Sequence, residues 1–390
     1  MADQQIIIDC HIHAGELGTH YPQWWIRELY NAWGGTKQWA YGRENMTAGE
    51  RFLHQMDEMG IDMMCIMTSD HRRVYADKVG PYAPNEYLLE VKKVAPDRFA
   101  LTCGLDPLRD LYDSIRELDR CVKEWGFTAC KLYPTYDHFD PRDERLFPIY
   151  EKMIELDVPM QVHMGFTPCL NAPMKYQQPY LLDDVCARYP QLKIVVAHMG
   201  WPWVDECIAL AARWENVHVD IAYWGWFEPE FVYTHVTRFG QLCGYQKLLY
   251  GSENSHTHIG PGMMKGLNDV ARKLGKPEIS PADMDQIMWK NTARLWKTPG
   301  SCHWLRERRN RGRRVGVSLL ETSELLILAA NVNESLQLSD GMHPKCLDHI
   351  VILGEAHLRR TLKTYASYYN SLPVPLNKMP RGHGPFGGPL

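Results

Sequence analysis

Asp9-Cys10-His11-Ile12-His13, directly after the apolar run Ile6-Ile7-Ile8, is the segment of this 390-residue chain best suited to chemistry. Residues two apart on an extended strand point to the same side, so His11 and His13 can aim two imidazoles at one point, which is a pincer for a metal ion. Taken alone, such a pair is equally two solvated histidines near a terminus. The rest of the sequence supplies partners of the right kind. They are Lys131, then His163 closing Gln161-Val162-His163, then His198 within Ala197-His198-Met199-Gly200, then Glu253 and Asn254 within Gly251-Ser252-Glu253-Asn254.

The elements that must position these residues are short β-rich runs, expected at 6–10, 61–68, 98–104, 127–133, 158–163, 193–198, 217–221 and 247–252. Between them, helical periodicity runs over Thr47 to Met59, Asp110 to Trp125, Pro148 to Leu156, Tyr180 to Tyr189 and Trp203 to Trp214. Alternation of strand and helix implies a parallel sheet with right-handed crossovers, and eight units close into an α/β fold of the (β/α)8 TIM-barrel kind. An open doubly wound sheet is the alternative, but no Gly-rich phosphate loop follows any of these runs. In a closed barrel the loops after the strands converge on one rim, so the polar strand ends gather there.

Imidazole nitrogen and carboxylate oxygen suit a borderline divalent ion, Zn²⁺ in first place with Mn²⁺ or Co²⁺ as alternatives. His11, His13 and His163 are the expected protein ligands, and Glu253 either joins them or moves a proton. His198, one strand over, serves as general base or orients an oxyanion. Lys131 has two readings: carbamylated, it bridges two metals; free, it binds a carboxylate or balances charge. A single ion is the expectation. Trp24, Trp25, Trp201 and Trp224 follow strands and could hold a small ring by stacking, with Lys131 and Asn254 as polar contacts, although any one tryptophan can simply pack the core.

Taken together, Asp-Cys-His-Ile-His, Val162-His163, Ala197-His198-Met199-Gly200-Trp201 and Gly251-Ser252-Glu253, followed by Trp289-Lys290-Asn291-Thr292-Ala293-Arg294-Leu295, resemble the amidohydrolase superfamily. Within it they are similar to the branch of aminocarboxymuconate semialdehyde decarboxylase and its related decarboxylases and hydratases. The resemblance covers residues 6 to about 297 and implies a divalent metal on His11, His13 and His163, with His198 handling protons. The decarboxylases of that branch usually carry Asp after the last strand. Here the residue is Glu253, and one methylene shifts the carboxylate by roughly an ångström, enough to change what it reaches. The Gly-Ser-Glu form, with Ile149-Tyr150-Glu151-Lys152-Met153, looks more like 4-oxalomesaconate hydratase and like members described only as hydrolases, which favours activation of water over decarboxylation.

The first expectation is therefore a metal-dependent hydrolase, in which activated water displaces a group from a small aromatic or heteroaromatic compound in a catabolic or detoxifying role. The alternatives are a non-oxidative decarboxylase of an aromatic or unsaturated acid, with Lys131, Arg72 or Arg73 meeting the carboxylate, and a hydratase of an unsaturated acid. Hydrophobic residues at 45%, charged residues at 23% and a net charge of -4 give no reason to expect nucleic acid or an anionic membrane as partner. Eleven cysteines without paired spacing, and no apolar run of membrane-spanning length, lead us to expect a cytoplasmic protein with free thiols. A homodimer or higher homo-oligomer acting on a small-molecule substrate is expected.

Composition changes after Trp296: six of the nine residues from Arg306 to Arg314 are arginine, which reads as a solvated linker. We place the barrel at 1–300 and an extension at 301–390. Within the extension, Lys345 to Arg360 and Tyr365 to Asn370 resemble the C-terminal end of an integrase-type transposase. The two upstream aspartates of such a core have no counterpart, so no independent catalysis is expected of the 343–380 remnant.

Overall fold

The computed structural model describes residues 5–16, 18–25, 28, 46–75, 80–253 and 260–298. Trp33, Trp39, Asn254 and the extension at 301–390, with its transposase-like stretch, lie outside the described residues. Eight parallel strands follow one another in chain order: β1 (Ile8–His13), β2 (Met63–Met67), β3 (Phe99–Leu105), β4 (Ala129–Leu132), β5 (Met160–Val162), β6 (Ile194–Val196), β7 (Val217–Asp220) and β8 (Leu248–Leu249). The ring closes just past β8, where Cys10 N donates to Tyr250 O at 3.0 Å and Glu253 N donates to His11 O at 3.1 Å. This is the (β/α)8 barrel that the alternation of strand and helix implies.

Helices cover the outside. The first, α1 (Ala48–Met59), starts at Thr47, whose hydroxyl accepts from Glu50 N while the Glu50 carboxylate returns to Thr47 N, so two orphan amides of the first turn are satisfied. It stops at Gly60, which is left-handed at φ 68°. Asp110 caps Leu111–Lys123 by accepting from Asp113 N, and Pro in the first turn opens Phe147–Glu155. The expected segments differ from these helices by two residues at most: Thr47 and Asp110 are N-caps, Leu156 is a C-cap, and Trp125 lies just past one. Six of the strands are shorter than expected, most of all β8, whereas β1 runs on to His13 and β3 keeps its expected length.

The inside of the barrel has two layers. Its floor is apolar: Ile8, Cys10, Met63, Cys65, Ala129, Val195 and Leu249 pack together with Trp296, which is fully buried and hydrogen-bonds Thr102 Oγ1 through its indole N–H at 2.9 Å. Above it comes a polar belt of Lys131, Gln161, Asp220 and His11, each fully buried. In β1 the change of layer needs an irregularity. Asp9 pairs with Met64 but Ile12 pairs with Ile66, so β1 carries one extra residue between them. Such a bulge re-aims a side chain. Here Cys10 stays in the floor while His11 and His13 turn to the rim and Ile12 joins the outer core.

All nine described cysteines are buried and free of disulfides. Among the described residues, no helix is long and apolar enough to cross a membrane.

Candidate metal centre and active site

Each strand end delivers one part of the site. His11 Nδ1 lies 2.9 Å from Asp220 Oδ2 at the end of β7, and Gln161 Nε2 donates to the same oxygen at 2.9 Å. A carboxylate on Nδ1 fixes the imidazole tautomer, so the lone pair of His11 sits on Nε2. That nitrogen faces Glu253 Oε2 at 3.0 Å, while Glu253 Oε1 is 3.1 Å from His13 Nε2. Two lone pairs pointed at one another at such a distance require a proton or a cation between them. One further atom asks for the same thing: His163 Nε2 is buried without a hydrogen-bond partner among the described residues. The geometry thus gathers His11, His13 and Glu253 as one candidate ligand set, and His11, His198 and Asp220 as a second that shares His11. The donors fit a borderline divalent ion.

His163 stands in the rim but is engaged differently from the other histidines. Its Nδ1 is 3.1 Å from His198 Nε2, and its Nε2 remains for a ligand role. His198 is held from three directions. Its backbone N donates to Asp220 Oδ1 at 2.9 Å, its carbonyl accepts from Trp224 Nε1 at 2.8 Å, and its Nδ1 lies 3.2 Å from Ala222 O. His198 and Met199 both have positive φ, at 60° and 45°, and Glu253 does too, at 57°. Such backbone costs about 1–3 kcal/mol per residue and persists only where surrounding structure enforces it. Asp9 supplies part of that enforcement, its Oδ1 accepting from His11 N at 3.1 Å and from Ser252 N at 3.0 Å. Gly251 allows the close approach of these segments, since a Cβ there would sit 2.9 Å from His11 Cβ.

The charges are arranged for an electrophile. Burial alone would raise the Glu253 carboxyl, but His11, His13 and His198 hold it well below the usual carboxylate range. Burial depresses His163 far below its ordinary value and His198 to about 4, leaving both imidazoles neutral. Burial likewise lowers Lys131 to about 8; its Nζ is 3.3 Å from His11 Nε2.

Two aromatic walls stand over this centre. One joins Trp25, Tyr75, Tyr133 and Tyr136, with Trp24 against it. The other places Trp201 5.0 Å from Phe227, with Tyr223 and Phe166 beside them. Trp24, Trp25 and Trp201, expected as ring-stacking residues, stand in these two walls. Trp224, also expected there, is fully buried instead and is bonded to the His198 carbonyl through its indole N–H. Arg72 and Arg73 also differ from expectation. Arg72 is committed to Asp70 at 2.7 and 2.8 Å, and Arg73 to Asp106 at 2.7 Å. Asp220 escaped sequence reasoning, although an acid closing Val217-His218-Val219-Asp220 is the signal that would have found it.

With this geometry in view, comparison with known proteins is informative. A family model described as Amidohydrolase matches residues 8–298. The chain is 30% identical over 332 residues to the 2-keto-4-carboxy-3-hexenedioate hydratase of Sphingobium sp. (strain NBRC 103272 / SYK-6), covering 75% of this chain and 96% of that one. It is 23% identical over 295 residues to the gamma-resorcylate decarboxylase of Polaromonas sp. (strain JS666 / ATCC BAA-500), covering 64% and 87%. Among solved structures, 5-carboxyvanillate decarboxylase from Novosphingobium aromaticivorans, complexed with manganese and a nitrobenzoic acid, superposes with a TM-score of 0.53. That match is at 16% identity and covers 76% of this chain and 97% of the other. None of these relatives bears on the transposase-like tail. A hydratase and decarboxylases fit the two alternatives raised by the sequence better than they fit hydrolytic displacement.

Proposed function

The chain belongs to the amidohydrolase family, and from that premise we propose that it is a metal-dependent lyase, a hydratase that adds water across the double bond of a small unsaturated keto acid. The observation that carries this reading is Glu253. Its carboxylate lies 3.0 Å from His11, 3.1 Å from His13 and 3.8 Å from His198, so one acid stands beside two histidines that would hold the ion and the one that would pass a proton. Similarity to a keto-acid hydratase over 96% of that protein and 75% of this chain supports it. His11, His13 and Glu253, with His163 turned in by its neighbour, would hold the ion. We take zinc or manganese as the candidates.

A divalent ion held there would make water a nucleophile near neutral pH and polarise a substrate oxygen. The protein does the rest. Asp220 fixes the His11 tautomer and, through the His198 amide, the path of the β6 loop. Glu253 takes the proton of the attacking water, and neutral His198 stands within reach to relay it. Trp201 and Phe227 on one side and Trp25 and Tyr136 on the other shield the reacting carbon from bulk water. The proposal extends to a homo-oligomeric cytoplasmic enzyme whose extension at 301–390 has no chemistry of its own.

Decarboxylation of an ortho-hydroxy acid is the second reading, favoured by the buried ammonium of Lys131 beside His11, where a chelating carboxylate would arrive. The test uses the full chain loaded with zinc or manganese. Loss of the near-ultraviolet absorbance of a conjugated 2-keto-3-enoic acid, with hydroxy-acid product by mass spectrometry, is the expected result. Release of carbon dioxide from a 2,6-dihydroxybenzoate, without hydration of the keto acid, would replace it by the second reading.

A further inference from the structure

One buried acid–base pair on the rim has no part in the chemistry described so far. His71 follows β2 and Asp137 follows β4; His71 Nδ1 is 2.7 Å from Asp137 Oδ1, and their side chains are 2% and 0% exposed. The pair belongs to the wall of Trp25, Tyr133 and Tyr136, whose rings lie 5.4, 4.9 and 5.2 Å from the imidazole. Through these rings it adjoins the metal centre, because Tyr133 is 6.1 Å from the His13 ring and Tyr136 is 4.9 Å from the His163 ring. Both tyrosine hydroxyls are already spent, Tyr133 on Thr68 O at 2.7 Å and Tyr136 on Thr167 Oγ1 at 2.6 Å. The wall then offers the Tyr75 hydroxyl, buried without a hydrogen-bond partner among the described residues, and the second nitrogen of His71, the group that a buried acid orients.

We propose that His71, oriented by Asp137, is a catalytic residue whose Nε2–H stabilises the substrate oxygen on which negative charge develops as water adds. Burial sets the proton inventory. It pushes the imidazole down, to about 3, and the Asp137 carboxyl well up, so the pair avoids any net charge. A net-neutral pair holds two protons. One lies on the Nδ1–Oδ1 axis. The other cannot sit well on Asp137 Oδ2, which is buried without a partner among the described residues, so it sits on Nε2. Arg73 keeps Asp137 in place by donating to its carbonyl oxygen while pairing with Asp106. A preorganised donor in a water-poor wall is what an oxyanion site requires.

This inference rests on the hydratase reading and gives it a second pole. The water oxygen bonds to the β-carbon as Glu253 takes the water proton. The π pair moves through to the keto oxygen, which accepts the His71 Nε2–H. As that pair returns, the proton on Glu253 passes to the α-carbon, and one water has been added in all. The substrate class is then a 2-keto-3-enoic acid rather than an isolated alkene acid, since only conjugation places charge on an oxygen.

His71→Asn separates this role from a structural one, because an asparagine amide can still bond Asp137 while the Nε2 position is lost. The expected result is a kcat lower by about 100-fold with KM, melting temperature and metal content close to the parent. A parent-like kcat in His71→Asn would overturn the proposal. A second readout does not depend on turnover: in ¹⁵N-histidine NMR, the His71 Nε2 signal, identified by its absence in His71→Asn, should shift when 2-oxoglutarate, a saturated keto acid, is added. If 2-oxoglutarate does not bind but 2,6-dihydroxybenzoate does, the hydratase reading falls, and a shift with the benzoate keeps His71 as the donor to its phenolic oxygen. A signal unmoved by both compounds overturns the role of His71.

Discussion

The floor and the rim of this barrel are built from the same strands a few residues apart, yet they obey opposite rules. In the floor, Ile8, Met63, Ala129, Val195 and Leu249 close on Trp296, and nearly every contact is apolar. In the rim, Lys131, Gln161, Asp220 and His11 are just as buried but all polar, each answered by another. Removing apolar surface from water stabilises at roughly 25 cal/mol per Å². Burying charge costs energy unless partners return it. The floor therefore holds the barrel together, and the rim draws on that stability to keep a charged centre in place.

Four changes test that division. The largest effect is expected from His11→Ala. Removing the residue shared by both candidate ligand sets should abolish metal binding and lower activity more than about 1000-fold, as metal analysis beside a rate assay would show. Full activity with metal retained would refute the ligand assignment. Next comes Glu253→Gln, which keeps size and hydrogen bonding but cannot take a proton. Turnover should drop by roughly 100-fold or more with metal still bound, and an unchanged rate would remove Glu253 from proton transfer.

Trp296→Ala attacks the floor. Loss of a fully buried indole and its bond to Thr102 should cost about 3–5 kcal/mol in denaturant unfolding, with kcat per folded molecule nearly constant. A specific loss of kcat would mean that floor and rim are coupled. The smallest effect concerns His218, a buried polar residue at floor level, in register with Val195. Burial lowers its imidazole to about 4 from 6.5, so the unfolded chain binds the proton more readily between those values. Its share of stability is complete above pH 6.5 and is lost as pH falls toward 4, on the order of 3 kcal/mol at the limit. His218→Phe should flatten that part of the stability profile, and an unchanged profile would place the acid sensitivity elsewhere.

How much of this the sequence discloses differs between the two layers. The floor and the outer core follow from hydrophobic runs and helical periodicity, so all eight strands and the five helices read from periodicity are found close to where they are expected. Strand ends are less legible, because the rim replaces ladder bonds with side-chain bonds. The run expected to extend to His198 stops at Val196, where the Asp220 carboxylate takes over the His198 amide. His11, His13, His163, His198, Lys131 and Glu253 could be listed from residue type and strand position, and the structure gathers them on one rim. What type and position do not reveal is who answers whom. Asp220 lies 209 residues from His11, the burial of Trp224 depends on the turn of the β6 loop, and the bond between His71 and Asp137 joins two loops with no motif in common.

The bond from Ser252 N to Asp9 spans 243 residues of chain. It has a consequence for how the protein comes into being. A ribosome releases His11 and His13 long before Glu253, so the ion-binding centre has no existence in the nascent chain until the last strand has met the first. Contacts of such range are made late and slowly in folding. Uptake of metal during refolding would therefore time the closure of the ring, separately from the earlier appearance of helices.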